Sequence, residues 1–374
     1  MTRPDAEPRS KRALQLTLGL AISAAVVWYT FRKTDWAASW QFMVAADRGW
    51  MFLAVVLATL SFPLRVPRWR WLLHDEDGRP VGWLPAWHAI SMGFTANNVL
   101  PLRAGEVVRM GAVSRLGRVP FAAALSSVAV ERVMDALVAM GLLSLALTRG
   151  GIDPSLTLPG KSKPIAEIAT TIGALGLAAL LVAALAAWRR TTTLGIARKL
   201  LPNNSVGDAL YHFGERLLLG LSALSDPRTA LPVVGWSLVI WLCNAAAFYA
   251  AFRAFGFPVP YSGALIVQGI LMISIAAPQA PGYFGVFELA IGGTLAALYQ
   301  IPLDAGLACG LMFHVTTFIP ITMMGAWSAV TTASHTSAAG QRPASLLPRS
   351  MTRSSGVSSA HGQASPWTGQ LLRR

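Results

Sequence analysis

The chain has 374 residues, of which 54% are hydrophobic and only 13% charged, with a formal net charge of +14. An ordinary soluble domain carries about 25% charged residues, so this composition excludes a single water-soluble core. The basic residues fall between apolar blocks rather than along one soluble face, which excludes a nucleic-acid surface and gives the charge a membrane reading.

In chain order, residues 1–12 form a basic cytoplasmic N-terminus carrying Arg3, Arg9, Lys11 and Arg12, and an uncharged run follows from Ala13 to Phe31. That run exceeds the roughly 7 to 15 residues of a signal-peptide core, and no A-x-A cleavage site follows before Trp36, so it reads as a retained first span. Further spans are predicted at about Trp50–Leu64, Phe121–Thr148, Ile165–Trp188, Ala230–Phe252 and Asp304–Val330. Each approaches the roughly 20 residues that a helix needs to cross a bilayer. His88–Pro101 and Gly263–Pro278 differ, being short apolar stretches that run into Pro, Gly and charged residues. Such interrupted pieces in both halves of a chain are what broken or re-entrant helices look like, and they are compatible with an inverted pseudo-repeat. The expected fold is all-α, a polytopic transmembrane bundle of about eight crossings with a membrane domain over 13–333.

Lys and Arg in the connections set the orientation, because positive loops stay in the cytoplasm. With Val81–Pro101 re-entering, the segments before Ala13, Arg65–Arg118, Arg189–Arg228 and Arg342–Arg374 hold 23 of them, against 7 in the alternating connections. Both termini are therefore expected in the cytoplasm and the chain in the inner, plasma membrane. The tail 334–374 shows no sustained periodicity and is expected to be disordered. Cys243 and Cys309 fall inside spans, where they read as small apolar packing residues. The histidines show no ligand spacing, so no metal site is expected, and no cofactor or nucleotide motif is present.

Three clusters carry the chemistry. Asn97, Asn98, Arg103, Glu106 and Arg109 follow the first broken helix. Backbone freed at membrane depth must be satisfied by protein or by a water-filled cavity, so the segment reads as cavity-lining. Arg103 and Arg109 can bind phosphate through their forked donors, and Glu106, three residues from each, can orient either one. The alternative is an ordinary cytoplasmic loop with surface ion pairs. Glu131, Arg132 and Asp135 lie at or just within the cytoplasmic end of a span, where Glu131 and Asp135 share a helix face and Arg132 can pair with Asp135. Their partners are expected among the preceding arginines, in a structural network or along a substrate or proton path. Third, Pro281, Gly285 and Glu288 follow the second broken helix, with Glu288 expected to face the interior. Arg65, Arg68 and Arg70 with Trp69 and Trp71 read as an interfacial anchor. For His314, packing or a helix-to-helix hydrogen bond is preferred over proton relay.

The combination of Asn98-Val-Leu-Pro-Leu-Arg-Ala-Gly-Glu106 with Arg109, Glu131-Arg-Val-Met-Asp135 and Pro281-Gly-Tyr-Phe-Gly-Val-Phe-Glu288 resembles the flippase-like membrane domain of the lysylphosphatidylglycerol synthase family, over about Ala13 to Val330. The resemblance implies a protein that moves an anionic phospholipid or lipid-linked intermediate between leaflets, with membrane lipids as its partners and compatible with a homo-oligomer or a separate lipid-modifying enzyme. The family's synthases add a large cytosolic transferase domain. Only a 41-residue tail follows Ala333, so the lysyltransferase activity, and with it any catalytic residue, is not expected here. A non-catalytic partner subunit of a cell-envelope lipid pathway and an integral-membrane transferase are the two other readings. The second would use Glu106, Asp135 or Glu288 as a general base.

Overall fold

The computed structural model describes residues 25, 27–32, 34–100, 104–149, 165–223, 226–275 and 281–340. Met1–Thr332 is one compact unit and Ala333–Arg374 a second. Among the described residues every regular element is a helix, and an isolated bridge between His74 and Pro80 is the one β contact.

The helices are α1 (Trp36–Ala45), α2 (Arg48–Leu60), α3 (Arg65–Leu72), α4 (Trp83–Val99), α5 (Gly105–Leu116), α6 (Phe121–Arg149) and α7 (Ile165–Trp188). They continue with α8 (Arg190–Leu200), α9 (Ser205–Ala223), α10 (Pro227–Ala254), α11 (Tyr261–Ser274), α12 (Val286–Tyr299) and α13 (Leu303–Gly340). Several starts are written locally. Asp47 Oδ1 accepts from Trp50 N at 2.9 Å to open α2, and Asp226 Oδ1 accepts from Arg228 N at 3.0 Å to open α10, where Pro227 occupies the first turn. Gln300, with φ 55°, closes α12 in the left-handed region.

Three helical stretches are long and apolar enough to cross a membrane, Arg48–Leu72, Pro227–Ala254 and Leu303–Ser334. The first joins α2 to α3 across Pro63, so the span predicted to stop at Leu64 continues for two more turns. The helix α6 has 29 residues, also long enough, and carries three charges in its N-terminal half. The run expected from Ala13 to Phe31 lies mostly outside the described residues. Of two segments expected as connections, the first holds the helix α5 and the second the helices α8 and α9. The last helix, α13, runs to Gly340.

Both interrupted stretches form helical hairpins. At about 1.5 Å per residue, α4 is roughly 26 Å long and α5 roughly 18 Å, while α11 and α12 are each roughly 21 Å, all short of a hydrocarbon core of about 30 Å. In the first hairpin the helices meet at glycine. A side-chain carbon on Gly105 would run into the Gly93 carbonyl and the Asn97 amide, and one on Gly93 would lie 2.7 Å from Arg109 Cβ. Asn97 Oδ1 accepts from Gly105 N at 2.9 Å and ties the hairpin at its turn. In the second half, α12 and α13 cross at Gly292 and Gly306, where an added carbon on Gly306 would lie 2.8 Å from Gly292 Cα. The turn Pro281–Tyr283 of the second hairpin packs against α4 of the first.

Two apolar cores result. One gathers Val66, Trp69, Ile90, Val113 and Val128 from α3 to α6. The other gathers Met51, Phe252, Val267, Ile291 and Phe313 from α2 and α10 to α13. Between them, α10 packs against both α2 and α6.

Candidate functional site

At the seam of the two cores lies a buried network of charged side chains. Glu131 is its centre, fully buried on α6. Arg109 of α5 grips it with two parallel bonds, Nη1 to Oε1 at 2.7 Å and Nη2 to Oε2 at 2.9 Å. Arg132 Nη2 reaches Oε1 at 2.6 Å, and Arg68 Nη2 lies 3.2 Å from the same oxygen. Arg68 also donates to Asp135 Oδ1 at 2.5 Å and to Ser237 Oγ at 3.3 Å, while Trp241 Nε1 donates to Asp135 Oδ1 at 3.2 Å. Ser237 and Trp241 belong to α10, so the network joins helices of both cores. A fork-to-carboxylate grip fixes geometry as well as charge, and it needs arginine rather than lysine.

Trp69 builds the wall of the site. The Arg109 guanidinium lies over its ring, 3.9 Å from the centroid, and the indole N–H donates to Ser127 Oγ at 3.0 Å. Arg68, Trp69 and Arg109 are among the largest fully buried side chains described. The interfacial-anchor reading of Arg68 and Trp69 is therefore corrected: helix α3 turns both inward, and only Trp71 of the group is exposed. Arg65 lies one helical turn before Arg68 and its guanidinium is 5.1 Å from the Phe94 ring.

The network sits deeper than its sequence suggests. Glu131 and Asp135 are ten and fourteen residues into α6, about 15 and 21 Å along its axis rather than at its end. One face is open. Arg132 keeps 41% of its side chain exposed, and Glu106 of α5, 26% exposed, lies 3.7 Å from it. Glu106 thus pairs with Arg132; of the two arginines it was expected to orient, Arg109 turns to Glu131 on α6 and Arg103 lies outside the described residues. Hydrogen-bonding capacity remains on this side. Glu106 Oε2 and the Nε atoms of Arg65, Arg109 and Arg132 are buried without a hydrogen-bond partner among the described residues.

The other expected residues divide. Arg103 lies outside the described residues. Asn97 caps α5, and Asn98 donates from Nδ2 to Thr322 Oγ1 on α13 at 2.9 Å, so both hold helices together. Glu288 is fully buried, as its apolar surroundings predict, but no ion pair links it to the Glu131 network among the described residues. It bonds His314 Nδ1 at 2.7 Å, the helix-to-helix bond expected of His314. Arg68 is the member that sequence reasoning placed elsewhere. The available signal was a shortage of cations, since two carboxylates inside a span need more than the adjacent Arg132. The acidic triplet Asp75-Glu76-Asp77, not singled out above, lies in the turn after α3. There Asp75 Oδ1 accepts from Asp77 N and Arg79 N, and Arg118 lies 3.8 and 3.9 Å from Glu76 and Asp77.

Comparison with known proteins adds a family. A protein named glycosyltransferase AglD from Haloferax volcanii is 26% identical over 333 residues, 82% of this chain and 53% of that protein. The chain thus spans about half the length of that relative. A UPF0104 membrane protein from Methanothermobacter thermautotrophicus is 25% identical over 294 residues, 74% of this chain and 82% of the relative. No solved structure matches the chain significantly. The family described as lysylphosphatidylglycerol synthase TM region matches residues 16–325, nearly all of the helical bundle. The chain is a helical membrane protein and belongs to that family.

Proposed function

We propose that the chain moves an anionic phospholipid or lipid-linked intermediate between the leaflets of the plasma membrane, with its termini in the cytoplasm. The observation that carries this reading is a buried ionic network at the seam of two cores that stays open on one face, at Arg132 and Glu106. Charges inside a span are costly, about 2.5 to 3.5 kcal/mol each at a helix centre on insertion scales, and they tend to mark a path for polar groups. The geometry refines the division of labour. Arg109 and Arg68 have their forks engaged by Glu131 and Asp135 and act as positioning residues. Arg132 meets the phosphate, and Glu106 holds Arg132 until the head group arrives. Glu288 belongs to the second hairpin, where it bonds His314.

The test is a scrambling assay with the purified full chain in liposomes containing fluorescent anionic or zwitterionic phospholipid. Wild-type protein is expected to expose inner-leaflet anionic lipid to a membrane-impermeant quencher, and Arg132→Ala to slow this tenfold or more while remaining folded. Equal rates in the variant would remove Arg132 from the site, and no movement of any lipid by the wild type would overturn the reading. A membrane transferase is the second reading, favoured by the name of the Haloferax relative. It predicts a covalently altered lipid in the same liposomes once an activated donor is supplied, with Glu106 as the general base.

A further inference from the structure

We propose that Glu288 and His314 form a proton-binding site whose occupancy sets the conformation of the second hairpin's turn. The inference goes beyond lipid movement and does not depend on it. Both side chains are buried, Glu288 fully in the first turn of α12 and His314 at 7% exposure within α13. His314 Nδ1 is 2.7 Å from Glu288 Oε1. The imidazole is sandwiched between Phe287 and Phe284, with centroids at 4.1 and 4.5 Å and interplanar angles of 24° and 28°, and Phe318 stands edge-on at 6.3 Å. Aromatic faces within about 6 Å attract a cation, so the box suits imidazolium.

Charge balance points the same way. An ionised Glu288 beside a neutral imidazole donating from Nδ1 would leave one negative charge in an apolar interior. One proton from water, bound at Nε2, forms a single N–H bond and brings the pair to zero net charge. The other titratable and charged groups on the packed elements lie elsewhere. Phe248 of α10 stacks on Phe287, Met51 of α2 meets Thr316, and Thr30 donates to the Gly285 carbonyl. Arg48 opens α2, and Arg253 stacks on Trp50 at the far end of α10. Cys309 donates to the Ala251 carbonyl, Cys243 to that of Leu57 and Tyr261 of α11 to that of Leu242. Asp304 opens α13 ten residues before His314, and Tyr283 sits in the turn itself. Among the described residues the pair has no other ion-pair partner.

What makes the site a switch is the second carboxylate oxygen. Glu288 Oε2 accepts from Gly285 N at 2.6 Å, closing the turn onto the first turn of α12. The turn is strained, with Gly282, Tyr283 and Gly285 at φ 72°, 61° and 88°. A tyrosine in that region is sparsely populated and holds only when its surroundings over-determine it. One carboxylate therefore ties the strained turn with one oxygen and senses the imidazole's proton with the other. The turn in turn packs on α4, next to the hairpin that supplies Arg109.

The experiment uses the full chain in nanodiscs. Histidine-selective nitrogen NMR over a pH series is expected to show a signal that moves as the proton binds and that His314→Gln removes. Hydrogen-exchange protection of the peptide spanning Pro281 to Glu288, corrected for intrinsic rates, is expected to change at least threefold with the same midpoint. Glu288→Gln should abolish that change. Should either variant fail to fold, Phe287→Leu keeps the pair and removes one face of the box, and it is expected to weaken proton binding about threefold. A His314 signal that does not respond to pH, or turn protection that does not follow its midpoint, overturns the proposal.

Discussion

Glu131→Ala is expected to leave the bundle unable to hold its fold in mild detergent. Glu131 is fully buried and is the one carboxylate that touches Arg68, Arg109 and Arg132 together. Removing one partner of a buried ion pair typically costs about 3 to 5 kcal/mol, because the remaining charge stays buried without compensation. Here three guanidinium groups are left, and while Asp135 and Glu106 still reach Arg68 and Arg132, Arg109 loses the carboxylate it grips. The loss is a sizeable share of the 5 to 15 kcal/mol that separates a typical folded protein from its unfolded chain. Thermal unfolding followed by tryptophan fluorescence reads it directly, since Trp69 stacks on Arg109. Glu76→Ala, which removes an exposed partner of Arg118 at 3.8 Å, is the control and is expected to change stability by less than about 1 kcal/mol. Matching midpoints for the two variants would mean that the guanidinium groups find other counter-charges.

A second large effect is expected from a single methyl group. Gly105→Ala places a carbon against the backbone carbonyl of Gly93 and the side chain of Asn97, and backbone is the part of a helix pair least able to give way. Overpacking of this kind typically costs about 1 to 3 kcal/mol and sometimes more. Here it also pushes α5 from α4 and draws the Arg109 fork away from Glu131. The helix α5 contains its own control. Gly111 has nothing within 4 Å of where a side-chain carbon would sit, so Gly111→Ala is expected to stabilise by roughly 0.5 to 1 kcal/mol, the ordinary gain of alanine over glycine in a helix. Opposite signs for two Gly→Ala changes six residues apart would establish the close crossing. Equal effects would remove it.

Much of the scaffold was legible because apolar runs of span length leave little choice of structure. Phe121–Thr148 and Ile165–Trp188 match α6 and α7 to within a residue, and the two interrupted runs form hairpins of half-length helices. The helical nature of 105–116 was hidden because its charges and glycines look like a loop. Those residues are helical because glycine permits the close approach to α4, a property of the pair and not of either segment. In the site, Glu131 and Asp135 announced themselves as carboxylates inside an apolar helix, and Arg109 was a natural partner. Arg68 was not, since alternating Arg and Trp near a span end also describes an interfacial anchor. What separates the two readings is that the helix runs on past Pro63 and turns Arg68 and Trp69 inward, a three-dimensional fact. Glu288 and His314 were each visible, but they are 26 positions apart with a glycine crossing between them, so their pairing was not written locally.

The network's sequence separations bear on how the protein is made. Arg68 precedes Asp135 by 67 residues and Arg109 precedes Glu131 by 22, so both cations leave the ribosome well before the anions that neutralise them. During synthesis α3 and α5 are polar segments that lipid rejects, and they become apolar in effect only when α6 arrives beside them. Lateral release into the bilayer is thus a joint event for α2 to α6, with α6 as the closing member. Chains truncated before Glu131 are expected to remain extractable from membranes by alkali, and chains extended past Arg149 to resist it.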